Sequence, residues 1–233
     1  MATFKSIIDV SQYQGRIDWQ KVKDSGIDGA YIRLCNGTTL DTKGLRNALE
    51  CKRLGIPFGF YCYWHPQFMA DRQARMLRDY SMTYEADFVP MLDVEAHDMQ
   101  RPKVIADKLA RSVSVLTSAF GKPPTIYTGA WFWNSRVKSS RFTQCPLWVA
   151  QYVHYSLAAF HDPIEAVPTS PAMWGPYAMG HKRPTTEIPG WLQWSAWQFA
   201  GGFDSVGMRY GMESRDLDLN ILKDSEYARF LRS

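Results

Sequence analysis

Apolar and polar positions follow two different periods along this chain, and the switches between them mark out its elements. Short apolar runs at "FKSIIDVS" (4–11), "DGAYIRLC" (28–35), "PFGFYCYW" (57–64), "FVPMLDVE" (88–95) and "PTIYTG" (124–129) predict five strands. Between them, apolar residues recur at steps of three and four. Residues 17–26 predict a short helix, with Asp18 as its cap, Trp19 and Val22 on one face and Gly26 past its end. Residues 42–54 place Leu45, Ala48 and Leu49 on one face, and 70–84 do the same with Ala70, Ala74 and Leu77. The clearest helix is "RPKVIADKLARSVSVLTSAFG". Pro102 suits its first turn, Ile105, Leu109, Val113, Leu116 and Phe120 form its stripe, and Gly121 ends it.

Beyond residue 129 the alternation fades. "PLWVAQY" (146–152), "LQWSAWQF" (192–199) and "DLDLNIL" (216–222) predict three more strands with little helix between them, and a short helix follows from Asp224. Residues 153–191 hold many prolines together with Tyr155, Phe160, Trp174, Tyr177 and Trp191. That is too long for an ordinary connection, so an ordered surface excursion near a functional face is expected. Repeated strand–helix–strand units imply parallel strands joined by right-handed crossovers. The expected fold is a single α/β domain over 1–233, a closed barrel that is irregular in its second half. An open doubly wound sheet is the alternative, but no G-x-G-x-x-G follows the first strand to give it a dinucleotide.

Composition narrows the chemistry. With 233 residues, 45% of them hydrophobic, the chain can bury a full core. A net charge of +4 with scattered basic residues offers no nucleic-acid patch, while it suits an anionic partner such as a bacterial wall. "MATFKSIIDV" lacks the apolar stretch of a signal peptide, and no segment is long enough to span a membrane. Synthesis in the cytoplasm, no membrane insertion and exit by another route are therefore expected. Cys35, Cys51, Cys62 and Cys145 show no C-x-x-C spacing and read as free buried thiols. Five dispersed histidines without H-E-x-x-H argue against a zinc hydrolase, so no metal or cofactor is expected.

Carboxylates stand at strand ends. Asp93 and Glu95, two apart, project to one face of the fourth strand in line with Met91. Asp9 closes the first strand, and Asp216, Asp218 and Asn220 share a face of the last. In a parallel barrel the strand ends meet on one rim, where Asp9, Asp93, Glu95 and Asp218 would converge. Crowding raises some of their pKa values, which keeps a proton donor protonated near neutral pH. Nine tryptophans, dense in "GAWFWN", "PLWVAQY" and "WLQWSAWQF", divide between core packing and stacking on sugar rings.

Taken together and in order, these motifs resemble glycoside hydrolase family 25, the muramidases of bacteria and their phages. The likeness runs across nearly the whole chain: D-x-S-x-x-Q at Asp9, Ser11 and Gln14; Tyr61 in "GFYCYW"; the D-x-E of Asp93 and Glu95; Tyr127 in "IYTG"; "LWVAQY"; "WSAWQF"; and the closing D-x-N of Asp218 and Asn220. The resemblance implies a TIM-like (β/α)5(β)3 barrel and hydrolysis of the β-1,4 bond from N-acetylmuramic acid to N-acetylglucosamine in peptidoglycan, with glycan strands as the partner. It makes Glu95 the general acid/base. Asp93 orients the substrate's N-acetyl group, and Asp9 and Asp218 hold that group and tune the pair. Tyr61, Tyr127, Trp148, Gln151, Trp197 and Asn220 form the expected substrate-binding set. A phage endolysin acting as a monomer, without a separate wall-binding domain, is the implied setting. Direct attack by an Asp or by water is the mechanistic alternative. Cys62 departs from the family, where many members carry His. A chitinase-like or endo-N-acetylglucosaminidase barrel is the enzymatic alternative, although the longer D-x-x-D-x-D-x-E pattern is missing. A non-catalytic glycan-binding or virion structural protein is the alternative outside enzymes.

Overall fold

The structure, a computed structural model, describes residues 3–153, 167–184, 187–201 and 206–232. Strands β1 (Phe4–Val10), β2 (Gly29–Asn36), β4 (Phe58–Tyr63), β5 (Met91–Asp93), β6 (Thr125–Gly129), β7 (Leu147–Ala150), β8 (Ala196–Ala200) and β9 (Asp218–Lys223) close into a barrel through the β1–β2 pairing. A two-residue strand, β3 (Thr39–Leu40), forms a hairpin on β2. Helices α1 (Trp19–Asp24), α2 (Gly44–Leu54), α3 (Ala70–Thr83) and α4 (Pro102–Phe120) connect the first strands as expected. Asp18 caps α1 by accepting from the Lys21 N–H at 3.1 Å. Gly121 ends α4 at φ 68°, a left-handed conformation that costs glycine little. On α2 the buried face is Ala48, Cys51 and Leu54, and Leu49 is exposed rather than aligned with it.

The expected irregularity of the second half shows in the direction of the last strand. β9 runs antiparallel to both β8 and β1. Among the described residues of the connection, 206–217 carry only a 3-10 turn (Gly207–Tyr210) and no crossover helix. β9 therefore starts at the rim where β8 stops.

Two apolar regions hold the barrel. Inside it, Ile7, Tyr31, Met91, Trp148, Leu222, Phe88 and Phe230 pack together, with Phe88 stacked on Tyr31 at 5.5 Å. Outside it, the helices bury Leu77, Ile105, Leu109 and Leu116 against outward strand residues such as Ile8, Ile32 and Phe60. The described part of the 153–191 excursion keeps exposed residues such as Met173 and also packs into the barrel wall. Its helix α6 (Trp174–Met179) packs on β1 and β9. Trp174 is fully buried, meets Tyr210 edge-on at 5.4 Å and donates its indole N–H to the Pro168 carbonyl. Ser6 on β1 donates to the Pro171 carbonyl at 2.6 Å. Reversing β9 leaves an apolar barrel wall without a β/α helix, and this segment covers it. Tyr155 and Phe160 lie outside the described residues. A short helix α5 (Ala130–Phe132), continued by a π turn to Val137, follows β6 and was not expected. A final turn, α7 (Tyr227–Phe230), places Phe230 in the barrel floor.

Candidate active site

Side chains alternate in and out along each barrel strand, and the inward series change character at one level. Going up β1, Ile7 gives way to Asp9. On β5, Met91 gives way to Asp93, and on β8, Ala196 gives way to Gln198. Asp218 opens β9 and is paired in register with Asp9. Because β9 is reversed, Asp218 reaches the rim from a strand's first residue rather than its last. Glu95 lies two residues past β5, where the chain stays extended: the Val94 N–H bonds to the Tyr127 carbonyl at 2.9 Å. Together Asp9, Tyr61, Met91, Asp93, Glu95, Tyr127, Tyr152, Gln198 and Asp218 line a cavity of about 160 Å³. A larger groove of about 520 Å³ runs outside the barrel beside α1 and α2, but its acids are committed. Glu50 pairs with Arg53, Glu213 accepts from the Arg16 N–H, and Asp18 caps α1.

Amide groups organise the acids. Asp9 Oδ2 accepts from Asn220 Nδ2 at 2.8 Å and from Gln198 Nε2 at 3.1 Å. Gln198 Oε1 in turn accepts from the hydroxyls of Tyr127 (2.7 Å) and Tyr152 (3.1 Å). Trp148 donates its indole N–H to Asn220 Oδ1 at 2.9 Å. Asp93 differs: it is buried, and its Oδ1 makes no hydrogen bond to any described residue. The nearby cation is Arg33, an inward residue of β2 whose Nε donates to Asp41 at 2.8 Å and whose guanidinium lies 4.8 Å from the Tyr13 ring centre.

These environments separate the acids. Burial, followed by the negative field of Asp9, raises Glu95 to about 7, and the polar Tyr127 hydroxyl beside it opposes the shift. Asp93 is pushed well above the usual carboxylate range by burial and then by Glu95 and Asp9, and Arg33 opposes the shift. Burial also raises Asp9, while its Asn220 and Gln198 hydrogen bonds favour the ionised form. Glu95 can therefore both give and take a proton near neutral pH. Asp93 offers an unshared oxygen to an N–H or O–H entering the cavity.

The structure brings Asp9, Asp93, Glu95, Asp218, Tyr61 and Tyr127 to one cavity. Trp148 and Asn220 sit beneath it, fully buried, and act through Asp9 rather than on a ligand. Trp197 corrects the sequence expectation. It is fully buried on the outer side of β8, with its indole N–H on the Gln151 carbonyl, and offers no face to a sugar. Gln151 does not line the cavity either, and its side chain donates to the Arg183 carbonyl. Ser11 and Gln14 form a capping box, and Gln14 reaches the Asp216 carbonyl, so they shape the rim without entering it. Cys62 faces away from the cavity, with its sulfur near the Gly37 carbonyl and Gln73. All four cysteines are buried and free. The residues missed were Gln198, Tyr152 and Arg33. A polar residue in the apolar "SAWQFA" and a cation in "GAYIRLC", each in step with an inward neighbour, were the available signals.

A barrel rim carrying four carboxylates, with Glu95 raised to about 7 in a sheltered cavity, holds the groups that acid/base chemistry requires. The sequence profile of the glycosyl hydrolases family 25 matches residues 8–208, and the chain belongs to this family. Among curated relatives, it is 34% identical over 151 residues to the uncharacterized protein YegX of Escherichia coli, covering 62% of this chain and 55% of YegX. It is 27% identical over 235 residues to lysozyme M1 of Streptomyces globisporus, covering 94% of this chain and 67% of the relative. The chain thus spans about half the length of YegX. Among solved structures, a family 25 glycosyl hydrolase from Bacillus anthracis superposes with a TM-score of 0.71 at 18% identity, over 97% of this chain and 93% of the other.

Proposed function

We propose that the protein is an N-acetylmuramidase, hydrolysing the β-1,4 bond between N-acetylmuramic acid and N-acetylglucosamine in peptidoglycan. The observation that carries this is the pairing of Glu95, raised to about 7, with a buried Asp93 whose Oδ1 has no partner among the described residues. Glu95 protonates the leaving oxygen and then deprotonates the incoming water. Asp93 accepts the N–H of the substrate's acetamido group, which turns the acetamido carbonyl oxygen toward the anomeric carbon. The C–O bond to the leaving sugar breaks as that oxygen bonds the anomeric carbon, and water later opens the ring so formed. Two carboxyls on one side of the sugar suit this substrate-assisted course better than a pair flanking the ring from opposite faces. Asp218 and Asp9, the latter fixed by Asn220 and Gln198, hold the acetamido group. Family membership and the similarity to lysozyme M1 support the choice of substrate.

The setting we propose is lysis of a bacterial wall by a monomeric enzyme of the phage endolysin kind, made in the cytoplasm and released to the wall. The net charge of +4 suits an anionic wall.

Mass analysis of digested peptidoglycan tests the chemistry. Wild-type protein should leave new muramic-acid reducing ends. Glu95→Gln should lower their rate of appearance by roughly 10²–10⁴-fold or more, and Asp93→Asn nearly as much. Reducing ends on N-acetylglucosamine, or near-normal turnover by Glu95→Gln, would overturn the assignment.

A further inference from the structure

Eight of the nine tryptophans are buried, and Trp131 alone is exposed, at 71% of its surface. Its position is specific. On β5 and β6 the pair Asp93–Tyr127 is in register, and two residues further along each strand come Glu95 and Gly129. Gly129 continues the inward series of Tyr127, so a side chain there would project over the cavity mouth beside Glu95. That space is taken by the Trp131 indole instead. A Cβ built on Gly129 would lie 2.6 Å from Trp131 Nε1 and 2.9 Å from its Cδ1. The ring is braced edge-on against buried Phe132 at 5.7 Å. A glycine below and an aromatic brace beside it thus hold an indole in solvent at the lip of the cavity, where burial in the core would otherwise be favoured.

We infer that Trp131 is a specificity-determining wall of the cleft, stacking on a sugar ring of the glycan strand next to the ring held at Glu95. The occupant follows from the surface offered. A flat, electron-rich face matches the apolar, weakly positive C–H face of a pyranose. This rests on the muramidase reading for the identity of the sugar. The role is one of binding: Trp131 does not line the cavity that holds the acids, so it supports affinity along the strand rather than the proton transfers.

The test is calorimetric binding of a peptide-free tetrasaccharide of alternating N-acetylglucosamine and N-acetylmuramic acid to full-length Glu95→Gln protein. Adding Trp131→Ala should weaken binding roughly tenfold, and Trp131→Phe should recover part of it. Gly129→Ala should act in the same direction, because the new methyl displaces the indole at a backbone φ of −89° that alanine accepts. In active protein, Trp131→Ala should raise KM with kcat nearly unchanged. Iodide quenching of tryptophan fluorescence should be relieved by the tetrasaccharide in Glu95→Gln and not in its Trp131→Ala derivative. Equal affinities with and without Trp131 overturn the inference while leaving the muramidase reading intact. Trp131-dependent binding by a protein that cleaves no peptidoglycan has the opposite meaning. No binding by any variant overturns the inference.

Discussion

At Asp218 the decisive atom is one the chain leaves out. A Cβ on Gly201 would fall 2.1 Å from Asp218 Oδ1 and 3.2 Å from the Tyr152 hydroxyl, so this part of the rim closes only around glycine. Gly201→Ala should push Asp218 aside and lower kcat/KM by roughly a hundredfold, the scale of a 1 Å misplacement. Its melting temperature should stay close to wild type. Steady-state kinetics beside a thermal melt check this, and a folded variant with full activity would remove Asp218 from the machinery. The four acids were legible in the sequence because charged residues closing apolar strands are costly unless used. The binding tryptophans were not, because a strand residue's function depends on its parity. Trp197 and Gln198 are neighbours, yet one lies in the outer core and the other bonds Asp9. The motif containing both did not say which faced inward.

At the scale of elements, periodicity marks each β/α unit, and α1 to α4 fall close to their expected limits. What it concealed is how the antiparallel end of the barrel is covered. Trp174 fills the gap outside β1 and β9, away from the cavity. Trp174→Ala should cost about 3–5 kcal/mol of stability, read from urea denaturation. The protein that remains folded should keep its kcat, since the inner face of β1 is still paired to β9 through Asp9 and Asp218. An equal loss of turnover per folded molecule would show instead that this segment shapes the site.

For the molecule as a whole, the site costs stability and sets a pH limit. Glu95 titrates at about 7 in the folded state, against 4.5 for the ordinary side chain. The folded form then binds more protons than the unfolded one between those values. The stabilisation is complete below about 4.5 and is lost as pH rises through about 7. Glu95→Gln should therefore melt higher than wild type at pH 8, and the difference should close by pH 4.5. Asp93 and Asp9, raised as well, add slope of the same sign that Glu95→Gln leaves in place. Activity should fall along the same alkaline limb, because Glu95, the proposed general acid, loses its proton. A wild-type melt that does not change with pH over this interval would show that Glu95 titrates normally.

The sequence by itself determined the order of strands and helices, the barrel expectation and the identity of the acids, since periodicity and strand-end charge are local properties of the chain. The tertiary structure alone decided three things. It reversed β9, which made Asp218 the first residue of its strand rather than part of its end. It turned the 153–191 segment, where described, into barrel packing. It chose Trp131 from nine tryptophans as the one left in solvent. The first two depend on contacts between residues far apart in the chain, which no window of sequence contains; Trp131 is held out by its neighbours Gly129 and Phe132, but its place beside Glu95 comes from the register of β5 on β6.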